Sequence, residues 1–80
     1  MNKNKDLTIQ KKFSLAIQKH QENNFQVAVE LYNEILKLDP NHLATLGNLG
    51  NILRELGENQ KAINCYNKII EINPNDITVY

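Results

Sequence analysis

Apolar residues recur along most of the chain at every third or fourth position, which is the spacing of one face of an α-helix. The spacing is clearest in five leucines near the middle of the chain: Leu43, Leu46, Leu49, Leu53 and Leu56. Asparagine, glycine and proline separate the apolar stretches and predict turns between them. The pattern predicts four helices, at about 7–22, 25–38, 42–56 and 59–72, and a fifth that begins at Asp76.

The predicted helices fall into two similar units. A shift of 34 residues aligns the segment 9–42 with the segment 43–76 at eight identical positions, and Pro40 coincides with Pro74. A fixed period of this length is typical of stacked repeats. Small residues occupy the positions where the two helices of each unit would cross: Ala16, Ala28, Gly50 and Ala62. We therefore expect an all-α fold of two antiparallel helix-turn-helix units, followed by the start of a third.

Composition narrows the classes of partner. Nine basic and nine acidic residues give the 80-residue chain no net charge, so no overall field draws it toward nucleic acid or acidic lipid. Apolar runs of at most three residues exclude a membrane span. Cys65 is the only cysteine and cannot form an internal disulfide, which fits a reducing compartment. We expect a cytoplasmic protein that binds neither membranes nor nucleic acid.

The repeat resembles the tetratricopeptide repeat, whose 34-residue pattern is W-x2-L-G-x2-Y, then A-x3-F, then P. The second unit reads Leu46-x2-Leu49-Gly50-x2-Leu53, then Ala62-x3-Tyr66, then Pro74, and six of these seven positions hold an acceptable residue type. The second helix of the first unit also matches, at Ala28, Tyr32 and Pro40. The first helix departs from the pattern, because Lys12 replaces the bulky residue and Lys19 the tyrosine.

The resemblance implies a tail at 1–6, a repeat domain at 7–76 with repeats 9–42 and 43–76, and the truncated start of a third repeat at 77–80. Such arrays need a final helix over their last apolar face. Without one, we expect part of the apolar face of the fourth helix to be exposed: Ile63, Tyr66, Ile69, Ile70 and Ile72. The chain is then a fragment of a longer array, or it forms a homo-oligomer through that face.

In tetratricopeptide arrays, the first helix of each repeat lines a concave groove that takes extended peptides or partner helices. Carried over by position, the groove residues are Phe13, Ile17, His20, Asn48, Asn51 and Arg54. The stretch from Asn48 to Asn51 looks like repeats of O-linked N-acetylglucosamine transferase, in which asparagines at this place hold a peptide backbone. An amide side chain suits that role because it both donates and accepts hydrogen bonds. The alternative is that Asn48 is simply a solvated residue in an asparagine-rich chain.

The chain offers little for catalysis. His20 and His42 lie 22 residues apart and Cys65 stands alone, so no metal-ligand spacing occurs, and the glycines do not form a phosphate-binding loop. We expect His42 in a solvated turn and Cys65 as a packed thiol. The sequence thus predicts a protein-binding scaffold without enzymatic activity, cofactor or metal. The alternative is the N-terminal fragment of a larger repeat-containing enzyme, of the glycosyltransferase or sulfotransferase type.

Overall fold

The computed structural model describes residues 3–75, which are helical apart from short turns. Their four α-helices are α1 at Lys3–Gln21, α2 at Phe25–Leu38, α3 at Leu43–Glu55 and α4 at Asn59–Ile72. The all-α, helical-repeat fold predicted from the sequence is confirmed. The fifth helix expected from Asp76, and with it the start of a third repeat at 77–80, lies outside the described residues.

The chain divides into two compact units. Unit 1 comprises residues 1–40 and contains α1 and α2, whereas unit 2 comprises residues 41–80 and contains α3 and α4. In each unit the two helices pack against one another, and a turn of three residues joins them. The division falls two residues before the end of the predicted first repeat. Each unit is therefore a helical hairpin of the kind that the 34-residue period predicts.

Helix α1 begins at Lys3, four residues earlier than predicted, so residues 3–6 of the expected tail are helical. Apolar spacing could not predict this extension, because these four residues are polar and exposed and contribute nothing to an apolar face. Asp6 lies in the first turn, where the helix dipole favours a negative charge. The Thr8 hydroxyl also donates a hydrogen bond of 2.8 Å to the carbonyl oxygen of Asn4.

The turn of each hairpin contains one residue in the left-handed region of backbone conformation. These residues are Asn23, with φ of 63°, and Gly57, with φ of 80°. Glycine and asparagine adopt this conformation more readily than other residues. The next residue then donates its N–H to a carbonyl five positions back, from Asn24 to Lys19 at 2.8 Å and from Glu58 to Leu53 at 2.8 Å. Both first helices thus end in a Schellman motif.

The small residues predicted at the helix crossings are buried. Ala16 and Ala28 have no exposed surface, Ala62 is 2% exposed, and Gly50 is also buried. Because their side chains are short, the two helix axes of a hairpin approach closely. Larger side chains complete the core of each unit: Ile9, Leu31, Tyr32 and Ile35 in unit 1, and Leu46, Leu49, Ile52, Leu53 and Ile69 in unit 2.

Helix α4 keeps part of its apolar face exposed. Ile63 is 47% exposed, and three more of the predicted residues are half-buried: Tyr66, Ile70 and Ile72. Ile69 belongs to the buried part of this face and is 2% exposed. Its side chain packs toward α3, where its Cδ1 atom lies 3.9 Å from the position that a Cβ atom on Gly47 would take. Among residues 3–75, no helix has the length and apolar character needed to cross a membrane.

Candidate functional site

Three of the predicted binding residues lie on one face of α1, and we call them the α1 surface: Phe13, Ile17 and His20. All three are half-buried. The Phe13 ring lies 6.0 Å from the ring of Tyr32, tilted by 58°. The His20 ring meets Phe25 edge-on at 5.5 Å. Both partners belong to α2, so the second helix of unit 1 fixes the aromatic side chains of this mainly apolar surface.

The other three predicted residues lie along α3, and we call them the α3 surface: Asn48, Asn51 and Arg54. Asn48 is half-buried, whereas Asn51 and Arg54 are exposed. Residues three apart are neighbours on a helix, so the polar groups form a continuous row. The side of the helix opposite this row is buried: Thr45, Leu46, Leu49, Gly50, Ile52 and Leu53. The amphipathic pattern of α3 therefore turns this polar row away from the core of unit 2.

A hydrogen bond joins the α3 surface to α4. The hydroxyl of Tyr66 donates to the amide oxygen Oδ1 of Asn51 at 2.6 Å. A phenol hydroxyl is a good donor, and the Asn side chain offers one accepting oxygen and one donating nitrogen. Sequence reasoning missed Tyr66 as part of this site, because its place in the repeat pattern indicates only a core aromatic residue.

Gly50 allows the Tyr66 ring to lie close to α3. A Cβ atom at position 50 would stand 2.8 Å from Cε1 and 3.1 Å from Cζ of Tyr66, and 3.3 Å from the Cβ atom of Cys65. The ring thus occupies space that any other residue would fill. In unit 1 the equivalent residues are Ala16 and Ile17. Isoleucine has no side-chain acceptor, so this tyrosine–amide bond is confined to unit 2.

An ion pair occupies a position where the repeat pattern expects a bulky apolar residue. The Nζ atom of Lys12 on α1 donates to a carboxylate oxygen of Glu34 on α2. This hydrogen bond and the charge of the ammonium lower the pKa of Glu34. Two side chains one turn before Glu22 act in the same way: hydrogen bonds from Gln18 and Lys19 lower the pKa of Glu22.

His42 does not lie in a solvated turn, as the sequence led us to expect. It is half-buried and forms the N-cap of α3, where its Nδ1 atom accepts a hydrogen bond from the Thr45 N–H at 3.3 Å. The same nitrogen lies 2.7 Å from the Thr45 hydroxyl. The imidazole thus satisfies one of the unpaired N–H groups of the helix start.

The described residues contain few other groups that could react with a ligand or bind a metal ion. Cys65 is half-buried, and its burial raises the pKa of the thiol. Within residues 3–75, no cluster of His, Cys, Asp or Glu side chains has the geometry to hold a metal ion. A shallow, open depression of about 460 Å³ runs along α1 and is lined by Leu7, Gln10, Lys11, Ser14, Leu15 and Gln18. These side chains are not the ones on the α1 surface.

Comparison with known families identifies both repeats. Residues 44–76 match the model of the tetratricopeptide repeat, and residues 14–42 match a second model with the same description. The two matches lie within the predicted repeats 43–76 and 9–42, and together they cover more than half of the chain. No curated protein matches the chain.

Proposed function

Because the chain belongs to the tetratricopeptide repeat family, whose repeats are in general protein-interaction modules, we propose that it is a non-catalytic scaffold that binds an extended peptide or a partner helix. The observation that carries this proposal is the polar row on α3. Asn51 and Arg54 are exposed on a helix whose opposite side is buried, so their side chains are accessible to a ligand rather than packed in the core.

The two surfaces suit different chemical groups of a ligand. The α3 surface offers the amides of Asn48 and Asn51 and the guanidinium of Arg54, all of which hydrogen-bond to main-chain groups. The α1 surface offers the apolar faces of Phe13 and Ile17, and contact with an apolar ligand side chain would remove them from water. We therefore expect unit 2 to bind main-chain polar groups of a ligand and unit 1 to bind apolar side chains.

Peptide capture tests this proposal. Peptides are selected from a phage-displayed random library on the full chain, and one of them is synthesised for isothermal titration calorimetry. The double variant Asn48→Ala/Asn51→Ala removes two hydrogen-bonding side chains, each of which contributes about 0.5–1.5 kcal/mol. The peptide should then bind about five- to a hundredfold more weakly, while the helical circular dichroism remains that of the wild type.

The matched control replaces Asn33 and Asn67, two exposed asparagines on the second helices of the units, by alanine. This double variant changes the same residue types but leaves the α3 surface intact, so its affinity should equal that of the wild type. The proposal is wrong if no selected peptide depends on Asn48 and Asn51. It is equally wrong if the control variant loses as much affinity as the test variant.

A further inference from the structure

We propose that Tyr66 is a positioning residue that fixes the amide of Asn51 as a hydrogen-bond donor, so that unit 2 recognises a main-chain carbonyl oxygen of its ligand. This inference rests on the proposed peptide binding at the α3 surface. It specifies that the amide nitrogen of Asn51 contacts the ligand and that the ligand group is a main-chain carbonyl oxygen. It also specifies that Tyr66 determines this orientation of the amide.

The hydrogen bond between the two side chains sets the orientation of the amide. The terminal torsion of asparagine is broad and roughly two-fold, so a solvated side chain presents oxygen or nitrogen with similar ease. Here the Tyr66 hydroxyl, 2.6 Å away, holds Oδ1 on the side facing α4. The planar amide then directs Nδ2, with its two N–H groups, away from Tyr66. Since Asn51 is exposed, this nitrogen is open to a ligand.

The position of the tyrosine ring is itself constrained. Tyr66 is half-buried, and the Cε1 atom of its ring lies only 2.8 Å from the position that a Cβ atom on Gly50 would take. The hydroxyl therefore reaches Asn51 because residue 50 has no side chain. A tyrosine at this place in the repeat is not enough, since unit 1 combines Tyr32 with Ala16 and Ile17 and has no amide at the matching position.

The neighbouring charges favour a neutral acceptor. Arg54 lies three residues after Asn51 and is exposed, and its guanidinium has donors only. With Oδ1 of Asn51 engaged, both side chains donate hydrogen bonds to the ligand. Glu55 follows one turn after Asn51, so Arg54 and Glu55 carry opposite charges in the same part of the helix and together favour no charge on the ligand. A peptide carbonyl meets both conditions.

Three variants test the inference, with the library-selected peptide as the probe. Asn51→Asp retains an acceptor for the Tyr66 hydroxyl but removes the donor, so it should weaken binding at least tenfold and at least as much as Asn51→Ala. Tyr66→Phe retains the ring but releases the amide, and about half of the side chains then face the wrong way. Its affinity should fall about two- to tenfold, with helical circular dichroism unchanged.

Nuclear magnetic resonance provides a readout that a purely structural role of Tyr66 would not move. In the wild type, the side-chain N–H signals of Asn51 should shift downfield when the peptide binds, because these protons donate to it. In Tyr66→Phe the shift should be smaller at saturation. Asn33→Asp introduces the same negative charge at an exposed asparagine of α2 and should leave peptide affinity unchanged.

The outcomes separate this inference from the proposed function. If Asn51→Ala weakens binding but Asn51→Asp does not, the ligand contacts the amide oxygen and the inference is overturned, although the peptide surface stands. The same holds if Tyr66→Phe changes neither the affinity nor the Asn51 signals. If Asn51→Ala has no effect on any selected peptide, the proposed surface and the inference are both wrong.

Discussion

Replacing each glycine of α3 by alanine tests the packing of unit 2, because the two glycines face different amounts of space. A Cβ atom on Gly47 would meet only Cδ1 of Ile69, at 3.9 Å, which is an ordinary van der Waals contact. A Cβ atom on Gly50 would meet the Tyr66 ring at 2.8 Å and the Cβ atom of Cys65 at 3.3 Å. The two substitutions should therefore change the stability in opposite directions.

The expected change in the free energy of unfolding is the sum of opposing contributions. Alanine is favoured over glycine in a helix interior by about 1 kcal/mol, and at Gly47 this gain meets no steric cost. At Gly50 the same gain is offset by crowding, which costs about 1–3 kcal/mol. Displacement of Tyr66 also breaks its hydrogen bond to Asn51, a loss of about 0.5–1.5 kcal/mol. We expect Gly47→Ala to stabilise the chain by up to about 1 kcal/mol and Gly50→Ala to destabilise it by about 0.5–3.5 kcal/mol.

Thermal unfolding of the full chain, followed by circular dichroism, measures both variants. For a domain of this size, 1 kcal/mol corresponds to a shift in Tm of about 4–8 °C. Gly47→Ala should raise the Tm and Gly50→Ala should lower it. If Gly50→Ala raises the Tm as much as Gly47→Ala does, the close approach of Tyr66 to α3 is refuted, and with it the geometry that orients Asn51.

Three further predictions concern the helix cap, the ion pair and the exposed face of α4. His42→Ala should lower the free energy of unfolding by about 1 kcal/mol in urea denaturation, whereas His42→Asp, which retains an acceptor for the Thr45 N–H, should not. Glu34→Gln should lower the Tm at neutral pH. Because Lys12 lowers the pKa of Glu34, the ion pair stabilises the fold fully at pH values above 4.5, the ordinary pKa of a glutamate side chain. This stabilisation is lost as the pH falls through the lowered pKa of Glu34. The Tm values of variant and wild type should therefore converge in acid, and a constant difference would exclude the ion pair. Ile63→Lys should reduce the mass measured by light scattering at high concentration if the chain self-associates through α4, and a wild-type monomer under those conditions would contradict self-association.

The sequence was sufficient to predict the helices that apolar spacing and turn residues define. The bounds of α2 and α4 match the predictions, and those of α3 differ by one residue at each end. The turns at Asn23 and Gly57 were predicted because few other residues adopt a left-handed backbone at low cost. The small residues at the helix crossings were predicted because the second unit repeats them. These features depend on residue type and local spacing, which a sequence displays directly.

Features that depend on polar side chains meeting in space were not predictable. The first four residues of α1 are all polar, so the spacing of apolar residues could not show that the helix begins at Lys3. The Tyr66–Asn51 bond joins residues 15 apart on different helices, and it requires the ring position that Gly50 permits. The repeat pattern identified Gly50 and Tyr66, and the resemblance to the family identified Asn51 as a groove residue. Their combination became visible only once the helices of unit 2 were placed.

The short turns within the hairpins have a consequence for how quickly the chain folds. Three residues separate α1 from α2, and three separate α3 from α4, so the helices that pack together within each unit are also neighbours in sequence. Little loop entropy is lost when such helices meet. Proteins dominated by local contacts of this kind fold in about microseconds to milliseconds. Each Schellman motif reverses the chain with a single left-handed residue. The two motifs therefore help determine how fast each hairpin folds as well as its structure.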